Sequence, residues 1–212
     1  MSQKKKQKTM PPRVAIVSLG CAKNLVDSEH MGSLLEEAGV EVTTDPERAP
    51  VVIVNSCGFI DIAKEESIDA VLEVADLKET GQLQRLIVTG CLTERYGTEL
   101  KELLPEADVM LGIDPHGAAR AALWALGMKN SMPSQCNLRA LRLTPRWWSY
   151  LRVSEGCDNC CAYCAIPSIR GPLVSRPMDE ILEEAEELVG SGAKEINVIA
   201  QDTTAYGRDH GK

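Results

Sequence analysis

Apolar positions along this chain switch between two periods. "RVAIVSLG" (13–20), "VVIVNS" (51–56) and "RLIVTG" (85–90) are short runs rich in β-branched residues, each stopped by small residues. Such runs predict strands, "VVIVNS" one of the buried type. Between them the spacing becomes helical. Met31, Leu34, Leu35 and Ala38 follow i, i+3, i+4, i+7 and end at Gly39. Ile68, Val71, Leu72 and Ala75 do the same ahead of Gly81, and Leu100, Leu103 and Leu104 precede Pro105. "ADVMLGI" predicts a fourth strand, "EVTT" a further short one, and "HGAARAALWALG" a closing Ala-rich helix. Strands alternating with helices predict an α/β fold, a doubly wound parallel sheet over residues 13–127.

Residues 128–145 lose this order. They hold no sustained period and carry Pro133 and Pro145, which reads as a linker. From residue 146 a second pattern begins. "WWSYLRVSEG" predicts a strand, with Trp147 and Trp148 on opposite faces so that one of them packs between domains. A helix follows, with Ile181, Leu182, Ala185, Leu188 and Val189 on one face and acidic residues on the other, and then the strand "KEINVIAQDT". Two strands and one helix are too few to cover both faces of a parallel sheet. Residues 146–212 therefore read as the start of a larger domain, and the chain as a fragment.

Charge and composition narrow the classes. The net charge of −8 makes free nucleic acid an unfavourable partner for the surface as a whole. The head "MSQKKKQKTMPPR" lacks the apolar core of a signal peptide and reads as a disordered tail. Apolar runs such as "VVIV" are too short to span a bilayer. A cytoplasmic chain is expected, in which thiols stay reduced and clustered cysteines serve as metal ligands or redox groups.

The eight cysteines fall into two groups of interest. Cys21, Cys57 and Cys91 each follow one of the three strong strands, in "VSLGC", "VNSC" and "VTGC". Ligand sites in open α/β sheets lie at the carboxyl ends of the strands. Neighbouring strands would hold these thiols about 5–10 Å apart, close enough to share one cluster. An all-thiolate set favours iron–sulfur or zinc. The second group is "EGCDNCCAYCAIP", with two registers: Cys157, Cys161 and Cys164, or Cys157, Cys160 and Cys164. A structural zinc site would want two separated pairs, whereas three thiols in one loop suit a cubane with one iron left free. Cys136 has no partner motif. His30, His116 and His210 are scattered and carry no assigned role.

C-x3-C-x2-C after a strand, with Tyr163 just before the last cysteine, resembles the radical S-adenosylmethionine superfamily. Together with the three earlier cysteines it resembles the methylthiotransferase family, over about Arg13–Gly207. "SLGCAKNLVDSE", "NSCGFIDIAKEESI", "TGCLTERY", "IRGPLVSRP" and "AQDTTAYG" resemble its RimO branch rather than the tRNA-modifying MiaB branch.

The resemblance implies two 4Fe–4S clusters. Cys21, Cys57 and Cys91 would hold one; Cys157, Cys161 and Cys164 would hold the other, with Cys160 a bystander. It implies a partial TIM-type barrel after the linker, contacts to S-adenosylmethionine from Tyr163, Gln201 and Asp202, and a cofactor or substrate role for Arg170 and Arg176, beside which plain surface arginines stand as the alternative. It further implies methylthiolation of an aspartate β-carbon in ribosomal protein S-twelve or the small ribosomal subunit, with an electron donor such as flavodoxin or ferredoxin. A non-catalytic iron–sulfur or zinc-binding protein remains the competing reading. No residue is singled out as catalytic.

Overall fold

The computed structural model describes residues 11–133 and 141–210. The lysine-rich head, Cys136 and part of the expected linker lie outside the described residues.

Five parallel strands form the first sheet: β1 (Arg13–Ser18), β2 (Glu41–Thr43), β3 (Val51–Ser56), β4 (Arg85–Gly90) and β5 (Val109–Met110). Their order is β2-β1-β3-β4-β5. The middle strands run in close register, Ile16 beside Ile53 and Ile53 beside Ile87. β3 is buried at every position, which is why its sequence shows no alternation.

Four helices cover the sheet: α1 (Ala22–Glu37), α2 (Asp61–Asp76), α3 (Cys91–Leu103) and α4 (Pro115–Ala125). Side chains alternate across each strand, so the sheet builds two cores. Val14, Ile16, Ile53 and Ile87 pack with Met31, Leu34 and Leu35 of α1 and Ala118, Ala122 and Leu123 of α4. Ala15, Val52, Val54, Leu86 and Val88 pack with Val71, Val74 and Ala75 of α2 and Leu92 and Leu100 of α3. This is the doubly wound arrangement. The expected helix faces need two corrections. Leu72 is exposed because α2 turns Val74 to the sheet, and Leu103 is exposed at 72% while its expected partners Leu100 and Leu104 are buried. The expected fourth strand shrinks to β5, two residues at the sheet edge.

The second half holds β6 (Trp148–Arg152), β7 (Ser154–Glu155), α5 (Ile166–Arg170), β8 (Val174–Ser175), α6 (Met178–Gly190) and β9 (Glu195–Ile199). β6 and β9 pair in parallel, and β7 and β8 pair antiparallel. Leu151 of β6 faces Ile181 and Leu188 of α6. Alternate residues of β6 face the first sheet's helix α1: Arg152 pairs with Asp27, and Trp148 and Tyr150 line a small cavity with Leu19, Gly20, Cys21 and Leu25. Trp147 is exposed. Leu182 and Val189 of α6 are also exposed, contrary to the expected face. Glu184, on the supposed acidic outer face, is buried and pairs with Arg176.

The segment Leu141–Thr144, at the end of the expected linker, is anchored on α1. Glu29, fully buried, accepts from the backbone N–H of Leu143 (2.9 Å) and Thr144 (3.3 Å), and Ser33 accepts from that of Leu141 (3.0 Å). Among the described residues no helix is long and apolar enough to cross a membrane.

Candidate functional site: two cysteine groups joined by Arg170

The order β2-β1-β3-β4-β5 places the topological switch point between β1 and β3, where doubly wound sheets bind ligands. Cys21 follows β1 as the residue capping the start of α1. Cys57 follows β3 directly, and Cys91 follows β4 as the first residue of α3. All three thus stand at the carboxyl end of adjacent parallel strands. Cys57 and Cys91 are buried and Cys21 is exposed.

Close backbone packing draws the three turns together. A Cβ added at Gly20 would lie 2.8 Å from Cys57 Sγ, and one at Gly90, with φ +104°, would lie 2.4 Å from the Ser56 carbonyl oxygen. Only glycine fits there. The Ser67 hydroxyl accepts from the Cys57 N–H and donates to the Cys57 carbonyl, both at 2.9 Å, so the turn after β3 is fixed from α2. Asn24, fully buried in the first turn of α1, ties the set together. Its Nδ2 donates to the carbonyls of Leu19 (3.1 Å) and Ser56 (2.9 Å), and its Oδ1 accepts from Cys91 Sγ (3.5 Å). Asn55 Nδ2 in turn donates to the Asn24 carbonyl (2.8 Å) and the Ser28 hydroxyl (2.9 Å).

Burial pushes the Cys91 thiol above its ordinary pKa; the nearby Arg170 opposes this, and charge on Cys21 or Cys57 adds to it. Among the described residues no group of three His, Cys, Asp or Glu could hold a metal ion. A cubane cluster makes a different demand, since each thiolate binds its own iron at a separate corner. Three thiols at three strand ends, with two helix N-termini favouring anionic sulfur, fit that donor set.

The second group lies on the loop between β7 and α5. Cys160 and Cys161 are exposed, and Cys157 and Cys164 are half-buried. The loop is shaped by its own backbone: Cys164 N–H donates to the Cys161 carbonyl (3.1 Å), Cys157 N–H donates to the Gly171 carbonyl (3.1 Å), and Asn159 N–H reaches Cys157 Sγ (3.4 Å). Gly156, Cys157, Asp158 and Asn159 line one wall of a cavity of about 210 Å³; Asp202, Ala205 and Arg208 line another. Asn159 Nδ2 donates to Asp202 Oδ2 across it (3.2 Å). Asp202 thus meets the loop, while Gln201 stands beside it after β9. Tyr163 is 90% exposed on the loop.

Between the two groups lies a buried ion-pair cluster that pattern reading missed. Arg170 is 2% exposed in its side chain, not a surface arginine. Its Nη2 donates to Asp27 (3.0 Å), Asn24 Oδ1 (2.8 Å) and Cys91 Sγ (3.7 Å), and its Nη1 donates to both Glu155 oxygens (3.1 and 3.2 Å). Arg152 pairs with Asp27 and Glu155 as well. The carboxylates hold both guanidiniums more firmly protonated than usual despite their burial.

Comparison with known proteins places the chain in a family. Residues 13–112 match the model of Uncharacterized protein family UPF0004, and residues 151–212 that of the Radical SAM superfamily. The chain is 46% identical over 207 residues to the ribosomal protein uS12 methylthiotransferase RimO of Geobacter sulfurreducens, covering 93% of this chain and 46% of that protein. It is 47% identical over 209 residues to the protein of that name from Clostridium botulinum strain Loch Maree, covering 94% and 47%. The chain belongs to the radical S-adenosylmethionine methylthiotransferase family, in its RimO branch. It spans about half the length of the curated relatives it matches.

Proposed function

We propose that this chain carries the cluster-binding portion of an enzyme that adds a methylthio group to the β-carbon of an aspartate in ribosomal protein uS12. The observation that carries the reading is the placement of Cys21, Cys57 and Cys91 at the ends of three adjacent strands, in a chain that resembles uS12 methylthiotransferases along nearly its whole length. Residues 13–127 form the methylthiotransferase domain, 128–145 the linker and 146–212 the beginning of the radical S-adenosylmethionine domain. The protein is cytoplasmic, meets uS12 free or on the small ribosomal subunit, and takes electrons from a flavodoxin or ferredoxin.

Cys21, Cys57 and Cys91 would hold one 4Fe–4S cluster, and Cys157, Cys161 and Cys164 the other. When bound, such a pair supplies one-electron cleavage of S-adenosylmethionine and a site for sulfur delivery; the protein supplies binding, orientation and shielding. Here the shielding is concrete. Cys57 and Cys91 are buried, and Arg170 covers Cys91 from the side of the second half. The cavity between Cys157 and Asp202 offers polar edges for the S-adenosylmethionine head group, with Gln201 and Tyr163 at hand.

Anaerobic reconstitution tests the reading. About eight irons per chain are expected if both cubanes assemble, and about four after Cys157, Cys161 and Cys164 are changed together to Ala. Incubated with S-adenosylmethionine, reductant and small ribosomal subunits, the full-length protein is expected to add the mass of a methylthio group to uS12. Label in tRNA instead would move the chain to the tRNA-modifying branch. One zinc per chain without visible absorption would leave a non-catalytic zinc protein.

A further inference from the structure

Arg170 sits at one end of α5, six residues after Cys164, and its guanidinium reaches the sulfur of Cys91. We propose that Arg170 is a positioning residue that tunes the cluster of the first domain from the second half of the chain. The inference rests on the reading that Cys91 is a cluster ligand.

Four contacts define the device. Nη2 donates to Cys91 Sγ at 3.7 Å and to Asn24 Oδ1 at 2.8 Å; Asn24 is also the residue that binds the turns after β1 and β3. Asp27 holds the same nitrogen at 3.0 Å. Glu155 takes Nη1 through both oxygens, and Glu155 lies two residues before Cys157. On the other side of Arg170, the Gly171 carbonyl accepts from Cys157 N–H. The guanidinium is therefore fixed by the same short segment that shapes the second cysteine loop. Its fork of donors is rigid and always charged, so it keeps a positive charge against the sulfur.

Hydrogen bonds to cluster sulfurs and nearby positive charge both favour the reduced, more negative cluster. Removing the guanidinium acts in one direction on both counts. The test uses the chain with Cys157, Cys161 and Cys164 changed to Ala, so that all bound iron belongs to Cys21, Cys57 and Cys91. Into it go Arg170→Met and Arg170→Lys. Iron content, circular dichroism, the electron paramagnetic resonance spectrum and the midpoint potential are measured for each.

With iron and fold matched to the parent, Arg170→Met is expected to shift the potential to a more negative value and alter the resonance spectrum. Arg170→Lys, which keeps the charge but loses the fork, is expected to lie between. Equal potentials and spectra across the three proteins would overturn the inference while leaving the cluster intact. If Arg170→Met does not fold, the Arg170→Lys shift alone decides. A parent that binds no iron would overturn both the inference and the cluster reading, and the iron assay tells that result from the other.

Discussion

Asp27→Asn tests how the two halves are held together. Asp27 is buried in α1, and its carboxylate pairs with Arg152 and Arg170, both reaching over from the second half. The amide keeps the shape and removes the charge. Two buried guanidiniums then share Glu155 as their remaining acidic partner in the cluster. Breaking one buried pair costs about 3–5 kcal/mol, and the surviving Glu155 contacts place this case at the lower end, about 3 kcal/mol. At about 1.4 kcal/mol per factor of ten, the docked state loses roughly a hundredfold in population. Hydrogen exchange reads this directly. Amides of β6 and α5 are expected to exchange roughly a hundredfold faster in the variant, and those of β3 and β4 at the parent rate, because their cores do not include Asp27. Unchanged exchange in β6, or equal acceleration in β3, would refute the claim that Asp27 holds the halves together.

Burial, with help from His116 and Arg152, lowers the His30 imidazole from 6.5 to about 4. A depressed base takes up its proton more readily when unfolded, so stability is unaffected above about pH 7.5 and falls as pH drops from 6.5 toward 4, by about 2 kcal/mol at pH 5; His30→Gln should remove that part of the slope in urea melts at pH 7.5 and 5. Gly90→Ala should prevent folding, since the new Cβ would meet backbone at 2.4 Å in a left-handed conformation; recovery of folded protein at the parent yield would contradict the geometry. Ser67→Ala strips the Cys57 N–H and carbonyl of their shared partner and should cost about 1–3 kcal/mol by urea melt. Cys160→Ala should leave iron content unchanged while Cys161→Ala lowers it by about four irons, and the reverse pattern would assign the other register.

The hydrophobic skeleton was readable because burial on both faces leaves no alternative to apolar runs. "VVIVNS" became β3 and "RLIVTG" became β4, and both are buried almost throughout. The carboxyl-end placement of the three cysteines was readable too, once they were seen after three strands; the switch point itself came only with the strand order. Helix faces were less so. Leu72, Leu103, Leu182 and Val189 satisfy helical spacing yet are exposed, because four apolar residues per two turns allow two adjacent stripes and the sheet selects one. The second half shows the same error in a strand. Val198 of β9 is apolar and 53% exposed among the described residues, on a strand whose sequence resembles a fully covered one.

Buried polar residues were the part that no period could reveal. Asn24, Asp27, Ser28, Glu29 and Ser33 lie on α1, and all are buried. A hydrophobic template reads them as the solvent face. Ser28 is inside because it bonds Ser18 and Asn55 of the first sheet; the others are covered by a second polar surface, from Arg152, Arg170 and the Leu141–Thr144 segment. Burying polar atoms is tolerable only when they find partners, and for Asp27, Glu29 and Ser33 some of those partners lie more than a hundred residues away in the chain. One signal was available. The stretch "NLVDSEHMGS" carries no lysine or arginine and places Gly32 against Leu141, where a side chain would collide. A helix that lacks long cationic side chains on its polar face and has a glycine in its middle is built to be approached from both sides. The same helix starts at Cys21 and holds Cys91 through Asn24, so the surface that docks the second half is continuous with the one that positions the thiols. Separating the halves should therefore disturb the cysteine site itself, and Asp27→Asn should weaken iron retention at Cys21, Cys57 and Cys91 although Asp27 ligates nothing.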